Sequence, residues 1–327
     1  MLSKIVVAAV GDLLMKSEII ASAKRAGKYD FDPIFNKVNP YLKKHDLTIA
    51  NLETTFSGRR KLGLYKGPDP KCNCPRERRH PRTGFPVFNC PDDLASALKR
   101  NGFQVLITSN NHSMDGGVEG VKRTLQKLDQ FGLKHTGTNR SREEASKPLI
   151  IRAKDITIGI LGYTQGTNSL PVPTPWLVNR MEFMKVLADV RRLRNKVDFL
   201  IVYLHFGREY QSLPSKEQKK WVQLLFRNGV NVVLGAHPHV LHPVQQYKMK
   251  DKDGRMRTRI AATSLGNFVS TKLRGDSNTM RGMIFSFTIT KNHEGITDIS
   301  GTARLPTMVQ VSKEKGRKVY TIVPIKR

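Results

Sequence analysis

Asp12, Glu53, Asn111, His112, His205, His237 and His239 are the side chains in this sequence whose types suit chemistry. Two carboxylates, an amide oxygen and several imidazoles form a hard-to-borderline ligand set. Such a set suits Mn, Fe, Zn or Mg rather than a thiolate-bound metal. His237-Pro238-His239 brings two imidazoles close together, and Pro238 stiffens the loop so that both rings can face one site. A centre of two divalent ions activates a bridging water and stabilises phosphoryl charge. It needs a shared carboxylate, ligands from several loops and a nearby acid for the leaving group. Taken singly, a buried acid is usually paired and a histidine at a strand end is usually structural. His45, His80, His135 and His293 receive no role on this basis, and His242 is read as structural.

What sets the candidates apart is where they fall. Short apolar runs at 5–10, 47–50, 103–107, 156–161, 199–204, 230–234 and 260–263 each end in a polar cluster. These runs are rich in Val, Ile and Leu and mostly lack alternation, as strands covered on both faces do. Between them lie helical patterns at 92–101, 117–131, 181–193 and 215–227, three of them closed by Gly102, Gly132 and Gly229. Strand and helix in alternation predict an α/β fold, in which ligands bind beyond the carboxyl ends of the strands. The acids, amides and histidines above sit at those ends.

Two stretches depart from the pattern. Residues 57–86 are rich in Pro and Gly and strongly basic, with only Asp69 and Glu77 as acids, and read as a long irregular insertion. Cys72, Cys74 and Cys90 lie near His80, but Cys-x-Cys is not a zinc-knuckle spacing, so a cysteine bridge or free thiols fit better than zinc. Residues 247–259 read as a basic hairpin, and after about 280 short strands, at 282–289 and 319–323, flank the main sheet. With no linker evident, residues 1–327 are expected to form one domain with insertions.

The polar clusters also follow a recognisable order. Gly11-Asp12-Leu13-Leu14, Asn51-Leu52-Glu53-Thr54, Asn110-Asn111-His112-Ser113-Met114-Asp115-Gly116-Gly117, His205-Phe206-Gly207-Arg208-Glu209-Tyr210, Gly235-Ala236-His237-Pro238-His239-Val240 and Ser264-Leu265-Gly266-Asn267-Phe268 occur in sequence. Over residues 6–269 the chain resembles the CapA family of capsule-synthesis proteins, associated with poly-γ-glutamate, which in turn resembles the calcineurin-like metallophosphoesterases. The resemblance implies a four-layer α/β/β/α sandwich around two metal ions. By motif it implies Asp12 and His239 on the first ion, Glu53 as the bridging carboxylate, and Asn111 and His205 on the second ion with His237 beside them. It implies His112 as the general acid, with Glu209 and Asn267 in the surrounding shell or substrate cleft. The phosphoesterase pattern commonly opens Asp-x-His, whereas this chain has Leu14, and Glu53 replaces the usual bridging Asp.

Charge bounds the partners. Lys and Arg number 56 against 27 Asp and Glu, a formal net charge of +29, which favours polyanionic partners. The resemblance implies a phosphoester substrate or an anionic polymer, together with other capsule-synthesis proteins. Aromatic content of 7% and the absence of a nucleic-acid motif argue against nucleic acid. Two functions remain in view: a metal-dependent hydrolase, and a non-catalytic subunit that binds or exports an anionic polymer through its basic surface. No apolar run reaches the ~20 residues of a membrane helix, and residues 5–10 are too few for a signal-peptide core. The sequence thus reads as cytoplasmic, against a family habit of membrane anchoring outside the cytoplasm.

Overall fold

The computed structural model describes residues 3–60, 62–64, 77–251, 253–314 and 316–325. Two sheets dominate it. In spatial order the first runs Arg317–Pro324, Thr297–Glu314, Arg281–Lys291, Ser3–Leu13, Leu47–Asn51, Val105–Ile107 and Lys134–Thr136. A short strand, Asn267–Val269, also pairs in parallel with Ser3–Leu13. The second sheet runs Gln245–Lys250, Met256–Ala262, Val232–Ala236, Phe199–His205, Ile156–Thr164 and Leu149–Ala153. The strands at the heart of each sheet are parallel, and antiparallel strands flank them.

Alternation along the strands, hidden in the sequence because both faces are apolar, decides the layering. Ile5, Val7 and Ala9 of the first sheet meet Phe199, Ile201, Val232 and Ile260 of the second in one core between the sheets. Ala8, Val10 and Leu106 point the other way, onto the helices Asp93–Arg100 and Gly117–Gln130 through Leu94, Leu98, Val121 and Leu125. Leu200, Val202 and Val233 likewise pack on Phe183–Arg194 and Lys216–Arg227 through Val190, Leu193, Val222 and Leu225. Helix, sheet, sheet, helix is the expected four-layer sandwich.

The expected helices form with ends shifted by a residue or two. Ser215 caps Lys216–Arg227 in a reciprocal capping box with Gln218, fixing where that helix starts. The region after 280 holds a third long strand that its polar sequence hid, Thr297–Glu314, buried at only a few positions. The basic hairpin is present, Gln245–Lys250 against Met256–Ala262. Of the insertion, residues 61 and 65–76 lie outside the described set, and the described remainder carries isolated bridges only, Leu64 to Arg79 and Arg79 to Pro86. Cys90 is a buried free thiol, while Cys72 and Cys74 lie outside the described residues. Among the described residues no helix is long and apolar enough to cross a membrane.

Candidate metal centre

Strand register, more than loop shape, gathers the candidate residues. Asp12 pairs across the sheet with Asn51 on one side and with Asn267 on the other, at an irregularity just before Leu13. In the second sheet Thr164, His205 and Ala236 lie level at the carboxyl ends of three parallel strands. Asp12, Asn51 and His205 therefore belong to the strands themselves, one step earlier than the polar ends at which the sequence pattern places them. The chain crosses between the sheets over residues 263–266, which brings Asn267 beside Asp12. That crossing needs backbones to touch. Asp12 N–H donates to Gly266 O at 3.0 Å, and a Cβ on Gly11 would stand 1.8 Å from that same oxygen.

Asp12, Glu53, His205, His239 and Asn267 are buried at the floor of the site. Asp12 Oδ1 accepts from Asn51 Nδ2 at 2.7 Å, and Asp12 Oδ2 lies 3.3 Å from His239 Nδ1. His205 Nε2 sits 2.9 Å from Asn111 Oδ1 and 3.6 Å from Glu53 Oε1. The rings of His205 and His237 are 4.8 Å apart. Asn267 Oδ1 lies 3.0 Å from His239 Nδ1 and its amide donates to Thr279 O, so Asn267 orients a candidate ligand. His237 and Glu209 are half-buried at the rim, with Glu209 Oε1 3.9 Å from His239 Nε2.

Ligand-type atoms converge in two groups, each within 4.8 Å: Asp12, Glu53 and His239, and Glu209, His237 and His239. Glu209 is thus placed beside two imidazoles and can itself serve as a ligand. His237 and His239 both hold positive φ, 96° and 59°, and Tyr210 holds 66°. Left-handed backbone at three side-chain-bearing residues of one site is strain that packing must maintain, and it aims the two rings together.

The electrostatics fit cations. Both Glu53 oxygens are buried without a hydrogen-bond partner among the described residues. Burial, followed by the neighbouring Asp12 and Glu209 charges, pushes the Glu53 carboxyl well above its ordinary range. Burial also holds His205 well below the usual imidazole value and, with His239, draws His237 down to about 4, so both rings are neutral donors of the kind metals take. Burial opposes charge on His239 as well, but the adjoining Asp12 carboxylate outweighs it and raises that group. Asp12 has Asn51 and His239 beside it, but Glu53 faces the neutral His205 ring and as a carboxylate is uncompensated until a cation arrives. Leu14 is buried and makes backbone hydrogen bonds, its N–H donating to Val269 O at 2.9 Å, and its side chain offers no metal ligand.

His112 stands at the other side of Asn111. Its Nδ1 is 2.8 Å from Asp115 Oδ2, which also accepts the Phe88 N–H at 2.6 Å. The Phe88 ring lies 4.3 Å from the imidazole by centroid. Nε2 is left facing Asn168, whose amide is 3.4 Å away and whose Oδ1 accepts from Asn111. Asp115 belongs to the same motif as His112, three residues on, and that spacing within a turn is its signal in the sequence. Asn51 offers a similar signal beside Glu53. Nothing in the sequence marks Asn168 or Phe88.

The fold is a sandwich of the metallophosphoesterase type. At 13% identity and a TM-score of 0.53, the chain superposes on the NAD nucleotidase of Haemophilus influenzae over 98% of its own length and 60% of that chain. A family model described as "Bacterial capsule synthesis protein PGA_cap" matches residues 6–272, and the chain belongs to that family. It is 25% identical over 297 residues to the PGA biosynthesis protein CapA of Bacillus subtilis, covering 89% of this chain and 69% of that protein. It is 24% identical over 302 residues to the capsule biosynthesis protein CapA of Bacillus anthracis, covering 90% of this chain and 66% of that protein. The chain thus spans about two thirds of the length of these relatives.

Proposed function

We propose that this capsule-synthesis family protein is a metal-dependent phosphoesterase-like hydrolase, acting on a phosphoester or an acyl-phosphate-like group. The observation that carries the reading is Glu53. A buried glutamate with no hydrogen-bond donor, beside Asp12, His205 and His239, is held in its charged form by a cation. Asp12, Glu53 and His239 would hold one ion. Asn111 and His205, with Glu53 between, would hold a second, with His237 and Glu209 closing the rim. Mn, Fe, Zn and Mg all suit these donors. When bound, such ions supply Lewis acidity toward a phosphoryl oxygen and a nucleophile at neutral pH.

The remaining work falls to side chains of this chain. In its protonated form, with a hydrogen on each ring nitrogen, His112 gives the Nε2 proton to the leaving oxygen and keeps the one on Nδ1. Asp115 accepts the Nδ1 hydrogen, fixing the tautomer and aiming Nε2 outward. Phe88 covers one face of the ring and keeps water from it. Asn168 orients both His112 and the Asn111 amide, so that the Asn111 oxygen is directed toward His205. The test is hydrolysis of p-nitrophenyl phosphate and its diester by the Mn²⁺-loaded chain. Activity that falls by about 10²–10⁴ in His112→Ala with metal content unchanged is the expected result. Absence of turnover with each of the four metals would overturn it.

A second reading rests on the net charge of +29. In it the chain holds an anionic polymer such as poly-γ-glutamate for other capsule-synthesis proteins, without turnover. Polymer binding that weakens steeply with salt, in a chain without hydrolytic activity, favours that reading.

A further inference from the structure

A second cluster of charge lies at the opposite ends of the strands. The helices Phe183–Arg194 and Lys216–Arg227 both finish there, beside the basic hairpin, and enclose a cavity of about 420 Å³. Arg257 and Arg259 enter from the strand Met256–Ala262 and share Asp251 Oδ2, each at 2.8 Å. Arg194 Nη2 stands 3.8 Å from the same oxygen. Arg257 also pairs with Asp253. Arg227 and Lys250 complete the cationic lining, so that two carboxylates face five cations among the described residues of the cavity wall.

Two of these cations, Arg257 and Arg259, are buried against Asp251 and Asp253, and the excess is carried by the partly exposed Arg194 and the exposed Arg227 and Lys250. Arg259 is 2% exposed, and its Nε, also buried, has no hydrogen-bond partner. The Arg257 side chain is 10% exposed. Burial, partly offset by Asp251 and reinforced by the other two arginines, lowers the affinity of Arg194 for its proton. A buried guanidinium N–H left without an acceptor, in a cavity where Arg194, Arg227 and Lys250 add charge beyond that of the two carboxylates, calls for a further anion.

We propose that this cavity is a binding site for a phosphate-bearing ligand, held by Arg194, Arg257 and Arg259 with Arg227 at the rim. A phosphate monoester carries close to two charges at neutral pH and several acceptor oxygens. It matches converging guanidinium forks better than a second carboxylate does. Phe226 and Met249 add apolar wall, and the volume leaves room for an organic group beyond the phosphate. The site is separate from the metal centre: His205 ends the strand whose beginning, Phe199, follows soon after Arg194.

The test is calorimetric titration of the full chain with inorganic pyrophosphate in EDTA, so that no metal recruits the probe to the catalytic cleft. Wild type and His237→Ala should bind equally. Arg194→Gln should weaken binding by about tenfold or more, with circular dichroism checking that it folds. Arg227→Gln, at a helix end, should weaken binding less and serves if Arg194→Gln does not fold. Three results would overturn the site: no binding by wild type, loss of binding in His237→Ala, or affinity unmoved in the folded arginine variants.

Discussion

Glu53 Oε1 lies 3.6 Å from His205 Nε2, and neither oxygen of that glutamate has a hydrogen-bond partner. An acid held this way is a stability cost in the metal-free chain. Its folded pKa is raised, chiefly by burial and then by Asp12. A raised carboxyl stabilises at low pH and loses that contribution as pH climbs through the folded value. The metal-stripped chain should therefore melt at lower temperature as pH rises above the ordinary glutamate range. The metal-loaded chain should not show this slope. Thermal melts at several pH values, with and without EDTA, check it.

Glu53→Gln separates the two roles of that side chain. In EDTA the variant should be at least as stable as wild type, because a buried charge has been removed. In Mn²⁺ it should lose the stabilisation that wild type gains, which is about 2.7 kcal/mol at metal a hundredfold above Kd. Equal response of both proteins to Mn²⁺ would contradict the assignment.

Asp115→Asn tests the proton path. The asparagine can still reach His112, but it carries no charge and can turn its NH2 toward Nδ1, so the protonated ring loses its counter-charge and its fixed orientation. Turnover should fall on the order of tenfold or more with KM and metal content little changed. A purely structural role for Asp115 would instead lower the melting temperature and leave the activity of the folded fraction intact.

Arg123 tests how the site is anchored to its helix layer. It forms a two-pronged pair with Asp92, both contacts 2.7 Å, and donates to Phe56 O at 2.6 Å, tying Gly117–Gln130 to the chain just past Glu53. Although burial opposes it, Arg123 holds Asp92 below its ordinary value. A lowered carboxyl stabilises above its unfolded value and loses that contribution as pH falls. Arg123→Met should cost about 1 kcal/mol at neutral pH, given partial exposure. The deficit should shrink below the ordinary aspartate range. Denaturant melts at neutral and acidic pH would show this.

Much of the site is legible in the sequence because parallel strands impose a rule: polar groups that close apolar runs meet at one edge. Asp12, Glu53, His205 and His239 follow it. Asn267 does not, since its chain leaves the second sheet at Ala262 and joins the first, a crossing that strand patterns do not encode. Asn168 sits on a loop whose course only packing decides, with a positive φ of 50°. The strand Thr297–Glu314 is illegible because most of its residues face solvent, and a strand so exposed has no apolar pattern to show although it is paired on both sides. Arg257 and Arg259 read as surface charge. Only the fold shows that they face inward with Arg194.

The central claim is that Asp12, Glu53, Asn111, His205, His237 and His239 hold divalent metal. Elemental analysis of the purified chain after Mn²⁺ incubation and gel filtration tests it most directly, with His237→Ala and Asp12→Ala alongside. The account predicts about two ions per wild-type chain and fewer in each folded variant. Metal content that is zero in wild type, or unchanged in both variants, would contradict it.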